Sequence, residues 1–242
     1  MTSLKKTEWD HRAALETARI LIELKTINFR PEAPYTLTSG RKSPVYIDCR
    51  RIISFPRARA RLMELAVQKI ASHIGYESID VIAGGETAGI PFAAWIAERL
   101  SLPMVYVRKK PKGFGQNAQI EGEPPVHQRT LLVEDLATDG GSKVQFVNAL
   151  RRAEALVEHA FVLFYYDIFQ NSHQTLTEAN ITLHALCNWH DVLEVCAEQS
   201  CFSKETLDEI HQFLNHPYEW SDRHGGVSCP EETSALQKDK DQ

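Results

Sequence analysis

Leu131-Leu132-Val133-Glu134-Asp135-Leu136-Ala137-Thr138-Asp139-Gly140-Gly141-Ser142 changes its structural demands three times within one short stretch. Residues 130–133 are apolar on both faces, which suits a strand covered on both sides in a parallel α/β sheet. Glu134 and Asp135 then emerge at its carboxyl end, followed by a turn and a helix that starts near Ser142. Gly140 and Gly141 tolerate positive φ and carry no Cβ to hold a ligand away, so backbone N–H groups can converge on an anion where the helix begins. In this reading the two carboxylates accept hydrogen bonds from vicinal ribose hydroxyls. The following amides and the Thr138 and Ser142 hydroxyls hold a terminal phosphate. Taken singly, an acid pair is ordinary solvated surface and Gly-Gly an ordinary turn. The ordered combination of strand, acids, Thr, Gly-Gly-Ser and helix is what favours a phosphoribosyl site.

Two upstream segments extend the pattern. A buried strand over residues 79–83 runs into Gly84-Gly85-Glu86-Thr87-Ala88-Gly89 and an apolar helix over residues 90–100, a second strand-to-helix switch at the same sheet edge. Such a turn can hold pyrophosphate or serve as a plain βα connection, and it matches neither G-x-G-x-x-G nor the P-loop pattern. The next strand, Met104-Val105-Tyr106-Val107, leads into Arg108, Lys109, Lys110 and Lys112, then Gly113 and Gly115. A basic, glycine-containing loop of this kind is expected to move and to surround a leaving pyrophosphate.

These segments resemble the type I phosphoribosyltransferases, and the orotate phosphoribosyltransferases in particular. The first carries the phosphoribosyl pyrophosphate motif, Leu37-Thr38-Ser39-Gly40-Arg41-Lys42-Ser43-Pro44-Val45-Tyr46-Ile47-Asp48 resembles that family's N-terminal substrate segment, and residues 108–115 resemble its catalytic loop. The likeness spans roughly residues 10 to 190. It implies an α/β fold of type I phosphoribosyltransferase kind, a mainly parallel sheet flanked by helices. The implied reaction is transfer of ribose 5-phosphate from phosphoribosyl pyrophosphate to orotate, giving orotidine 5′-monophosphate and pyrophosphate in pyrimidine synthesis.

By the same resemblance, Arg108, Lys109 and Lys112 act in catalysis. Those three bind phosphoribosyl pyrophosphate together with Glu134, Asp135, Leu136, Ala137, Thr138, Asp139, Gly140, Gly141 and Ser142. Thr138, Tyr46 and Ile47 meet orotate. Magnesium is expected to arrive mainly on the donor, without a dedicated protein ligand, and the resemblance further implies a homodimer with shared active sites. Three positions depart from the family pattern. Phe114 stands where many relatives carry a loop His, Thr38 where some carry Lys, and Asp167-Ile168 where many carry an Arg that grips the orotate carboxylate. A transferase for another base, or a regulator that senses the donor without turnover, stays open as an alternative.

Elsewhere the chain reads as a hood and core. Residues 10–24 form an amphipathic helix with Asp10 as cap, and residues 26–44 are rich in turn formers. Arg41, Lys42, Arg50 and Arg51 would ordinarily be solvated surface. Pro56 opens a helix whose apolar stripe ends at Gly75. A helix over residues 144–153, strands over 160–166 and 181–186, and helices over 192–197 and 204–214, the last capped by Ser203, complete the pattern. The expected division is a hood over residues 1–55, a core over 56–190, a helical extension over 191–220 and a disordered tail over 221–242.

With 43% hydrophobic residues the chain has material for a large core, and 27 basic against 32 acidic residues give a formal charge of −5 that attracts neither nucleic acid nor anionic membrane. No apolar run approaches the ~20 residues of a membrane span. The five cysteines form no C-x-x-C and follow no signal peptide, so a reducing cytoplasm is the expected setting. The scattered histidines lack metal-ligand spacing.

Overall fold

The computed structural model describes residues 7–37, 39–113, 119–199 and 201–227, so Thr38, Phe114, Gly115 and residues 228–242 lie outside the described residues. The chain opens with α1 (Glu8–Glu23), then the short strands β1 (Ile27–Phe29), β2 (Tyr35–Thr36), β3 (Lys42–Ser43) and β4 (Val45–Ile47). After α2 (Pro56–His73) come β5 (Val81–Gly85), α3 (Gly89–Leu100), β6 (Met104–Val107), β7 (Ile120–Glu121) and β8 (Arg129–Ala137). The second half comprises α4 (Gly141–Arg152), β9 (Leu156–Tyr165), α5 (Gln170–Glu178), β10 (Thr182–Asn188), α6 (Trp189–Gln199), α7 (Lys204–Asn215) and α8 (Pro217–Arg223).

Six strands form the central sheet in the order β10-β9-β8-β5-β6-β7, parallel except for the edge strand β7. The buried runs Val81-Ile82-Ala83 and Leu131-Leu132-Val133 lie side by side at its centre, as both-face burial requires. One face packs against α1, α2, α3 and the C-terminal helices through Leu21, Leu62, Phe92, Ile96, Val192 and Phe213. The other face is covered by α4 and α5 through Phe146, Val147, Leu150 and Leu176. This is the expected α/β architecture, with helices on both sides of a mainly parallel sheet. The hood is two antiparallel ribbons, β1 with β4 and β2 with β3.

Several boundaries differ from the sequence reading, each for a physical reason. Thr7 rather than Asp10 caps α1: its side chain accepts from the Asp10 amide, while the Asp10 carboxylate accepts from the Thr7 amide. Asp10 sits inside the fold, bonded to Lys69 Nζ at 3.0 Å and His73 Nε2 at 2.8 Å. Strand β8 continues four residues past Val133, because Leu136 and Ala137 keep pairing with Phe164 and Tyr165. Helix α5 was not expected: Gln170-Asn171-Ser172-His173-Gln174-Thr175-Leu176-Thr177-Glu178 has one apolar residue and so no stripe. Residues 221–227, read with the tail, are instead the end of α8 and a following turn. Ser221 is fully buried there, accepting from the Lys42 amide at 2.9 Å and donating to the Val227 carbonyl at 2.8 Å.

Candidate active site

The sheet's parallel strands bring the ends of β5, β6, β8 and β9 to one edge, and every sequence-derived site residue except Tyr46 and Ile47 lies on these ends or the loops after them. Because side chains alternate along a strand, Glu134 and Asp135 point to opposite faces. Glu134 turns toward α4, where its Oε2 lies 2.6 Å from Lys143 Nζ, and both groups are over nine-tenths buried. Lys143 also donates to the Leu136 carbonyl and, at 3.1 Å, to Ser142 Oγ. Glu134 Oε1 lies over Gly85, at 2.7 Å from where a Cβ would stand, so only glycine leaves room for the carboxylate.

Asp135 is half-exposed and faces the side on which Cys49 and Arg50 lie. Burial pushes its carboxyl above the usual range and the Glu134 charge adds to that, opposed by Lys143 and Arg50. The same burial raises the Cys49 thiol well above its ordinary value, with Asp135 and Asp48 adding to the effect. Leu136 and Ala137 contribute backbone: the Leu136 carbonyl holds Lys143 and the Ala137 carbonyl accepts from Tyr166 N at 2.9 Å.

Thr138 and Asp139 are half-exposed at the turn. Gly140 takes φ +83° and caps α4, with Leu176 of α5 packed 3.2 Å from its missing Cβ. The Gly141 amide donates to Asp139 Oδ1 at 3.2 Å, so an aspartate oxygen occupies one of the amides that the helix N-terminus offers to an anion. Ser142 Oγ reaches Glu134 Oε2 at 3.5 Å.

Just after β6 the Arg108 guanidinium leans on Glu121 at 3.3 Å, with its Nε buried and without a hydrogen bond among the described residues. Lys109 and Lys112 stand exposed, and no carboxylate among the described residues pairs with either side chain. The Lys109 amide donates to Glu86 Oε2 at 2.7 Å, which ties the root of this loop to the turn after β5. The Glu86–Thr87 peptide is cis. In the hood, Tyr46 is half-buried, its ring 5.3 Å from that of Tyr35, and its hydroxyl accepts from Arg50 at 3.2 Å. Ile47 is 1% exposed, so its side chain belongs to the core.

Residues 52–179 match the family model of the phosphoribosyl transferase domain. An orotate phosphoribosyltransferase from Sinorhizobium fredii is 52% identical over 210 residues, covering 87% of this chain and 90% of that protein. One from Ruegeria is 54% identical over 206 residues, covering 85% and 91%. The chain belongs to the orotate phosphoribosyltransferase family. Among solved structures, orotate phosphoribosyltransferase from Aeropyrum pernix superposes with a TM-score of 0.65 at 27% identity, covering 77% of this chain and 99% of that one. UMP synthase of Leishmania donovani gives 0.72 at 27% identity, over 84% of this chain and 42% of that one.

Two residues of this family member went unread in the sequence. Lys143 follows the motif immediately, and nothing in an i+9 spacing announces that it closes on Glu134 across the strand-to-helix turn. Arg41 was assigned to solvated surface, yet it is 7% exposed. Its neighbours come from three separate elements, which no local pattern brings together.

Proposed function

We propose that the protein transfers ribose 5-phosphate from phosphoribosyl pyrophosphate to orotate, releasing orotidine 5′-monophosphate and pyrophosphate. The structural observation behind phosphoribosyl transfer is the meeting of three groups at one sheet edge: the half-exposed Asp135, the α4 N-terminus and the basic loop after β6. The choice of orotate is supported by 52% identity across most of the chain to a protein of that name.

In this mechanism Asp135 accepts hydrogen bonds from the ribose hydroxyls, while Glu134, turned to the other face and held by Lys143, supports the strand end. The turn from Thr138 to Ser142 receives the 5-phosphate. Tyr46, the Ile47 backbone and Thr138 hold the base. The bond from the anomeric carbon to pyrophosphate breaks ahead of bond making, its electron pair leaving with pyrophosphate, and a ring nitrogen of orotate takes its place, its proton passing to the departing pyrophosphate. Arg108, Lys109 and Lys112 then stabilise charge that grows only as pyrophosphate departs.

Magnesium belongs to the same proposal. The strand-end carboxylates are hard oxygen donors that suit it, yet among the described residues no cluster of three or more His, Cys, Asp or Glu forms a cage. An ion carried largely on the donor phosphates would meet Asp135 on the protein side. Bound magnesium would neutralise the diphosphate. The proposal extends to a homodimer in which the basic loop of each chain serves its partner's cleft, which accords with the exposure of Lys109 and Lys112. It also extends to a cytoplasmic setting, with which the reduced thiols of Cys49 and Cys196 agree.

The test is product identification by chromatography after incubation with donor, magnesium and one base at a time. Orotidine 5′-monophosphate forming faster than the products of uracil, adenine or hypoxanthine is expected. Faster turnover of another base would refute the orotate assignment, and no turnover with any base would leave only donor sensing.

A further inference from the structure

The acceptor proposed above is an anion, and its carboxylate needs a cation that is not already committed. Of the cations on the hood and at the strand ends, Lys143 is bonded to Glu134 at 2.6 Å, Arg50 to Asp48 at 2.8 Å and Arg108 to Glu121 at 3.3 Å. Lys42 Nζ donates to Thr36 Oγ1 at 2.8 Å, Arg30 lies exposed against Tyr35, Arg51 lies exposed with its Nε 3.4 Å from the Leu24 carbonyl, and Lys109 and Lys112 are assigned above to the departing pyrophosphate. Asp167 and Ile168, at the end of β9, bring no positive charge.

Arg41 is different. Its side chain is 8% exposed against 30% for Arg108, and its Nε, like that of Arg108, has no hydrogen-bond partner among the described residues. One Nη stands 3.7 Å from Asp139 Oδ2, an ion contact too long for a hydrogen bond, and Asp139 spends its other oxygen on the Gly141 amide. The guanidinium plane is held by Phe169, 4.6 Å away just beyond β9, and by Tyr218 of α8 at 5.5 Å. The neighbouring Lys42 amide is latched to Ser221 of the same helix. Hood, post-β9 loop and C-terminal helix thus fix an arginine whose Nε edge, the edge that matches a carboxylate bidentately, is unmet. A buried donor left unmet is costly, and one poised beside the Thr138–Asp139 turn has a ligand as its natural partner.

We propose that Arg41 grips the orotate carboxylate through its Nε edge, and that the C-terminal helix, through Tyr218, exists in part to hold it there. The inference rests on orotate being the acceptor. It also gives the C-terminal extension a task.

Calorimetry with orotidine 5′-monophosphate and uridine 5′-monophosphate, which differ only in the carboxylate, isolates this contact. Wild-type protein should bind the former more tightly by roughly 30-fold or more. Arg41→Gln should remove most of that preference while leaving uridine 5′-monophosphate affinity within about threefold. Equal weakening of both nucleotides would overturn the assignment, because Arg41 would then serve the shared phosphate or the fold. A retained preference in Arg41→Gln would overturn it as well. Should that variant not fold, the Nε–H resonance of Arg41 in wild-type protein, assigned by its loss in Arg41→Lys, gives the second reading. It should shift with orotate and not with uracil, and an unmoved resonance refutes the contact. Wild-type protein that turns over orotate while failing these tests loses only this inference. Wild-type protein that does not turn over orotate loses the functional reading and this inference together.

Discussion

Lys143→Met is the sharpest perturbation of the strand end, because it removes the cation from a pair separated by 2.6 Å and buried on both sides. At an effective dielectric of about 20, two unit charges at that distance attract by about 6 kcal/mol. Most of that attraction offsets the desolvation of both ions, so replacing the whole pair with neutral groups is close to neutral. Removing one partner is another matter, since it leaves Glu134 charged, buried and facing Gly85 with no room to retreat. A loss of ~3–5 kcal/mol is expected, which in a chain of this size lowers the melting temperature by roughly 10 °C. Urea unfolding of Lys143→Met, Glu134→Gln and the double variant gives the coupling directly. The double variant should recover at least half of the Lys143→Met loss. A single-variant cost below about 1 kcal/mol, or simple additivity in the double variant, would refute the account of Glu134 as a carboxylate fixed by Lys143.

Asp135→Asn, which keeps volume and removes charge, should weaken donor binding by ~1.5–3 kcal/mol in calorimetric titration; unchanged affinity in a folded variant would return Asp135 to ordinary surface. Lys112→Ala should lower kcat on the order of 10²-fold with much less effect on donor affinity, since its charge matters as pyrophosphate leaves. An effect confined to KM would contradict that role. Mixing Lys109→Ala with Asp135→Asn, assayed at donor concentrations far below the weakened affinity so that each parent is nearly silent, should restore roughly a quarter of wild-type activity, because about half of the exchanged dimers are mixed and each holds one intact composite site. Exchanged mixtures that stay inactive would rule out sharing. Burial, aided by His159, His73 and Lys69, lowers His184 to about 3 from an ordinary 6.5, so between those values the unfolded chain binds more protons than the folded one. Stability should therefore fall on acidification below pH 6.5, by about 1–2 kcal/mol from pH 7 to pH 5 for this group, and His184→Gln should flatten the profile. An equal slope in the variant would assign the acid sensitivity elsewhere.

The parts of the fold visible in the sequence were those written in local pattern. Residues 81–83 and 131–133 are apolar on both faces, and that alone demands a parallel sheet with helices on either side. Pro56 at the start of α2 and Ser203 before α7 mark real helix ends, the latter accepting from the Thr206 amide at 3.3 Å. What stayed hidden was set by distant partners. The acid pair gave no sign that its members point apart, because Leu136 and Ala137 had to be recognised as further strand before the alternation could be applied. Arg41 looks like surface until Phe169 and Tyr218 are placed around it. Helix α5 shows no apolar stripe because one of its buried side chains is Ser172, bonded to Tyr165, while Leu176 packs beneath Gly140.

The central claim, that this cleft joins ribose 5-phosphate to orotate, is tested most directly by steady-state kcat/KM for orotate and for uracil at saturating phosphoribosyl pyrophosphate and magnesium. The account predicts efficient, magnesium-dependent turnover of orotate and a preference over uracil of at least about 10³-fold, as expected where a site's buried donor is left unmet by the smaller base. Equal efficiency with the two bases, or turnover of neither, would contradict it.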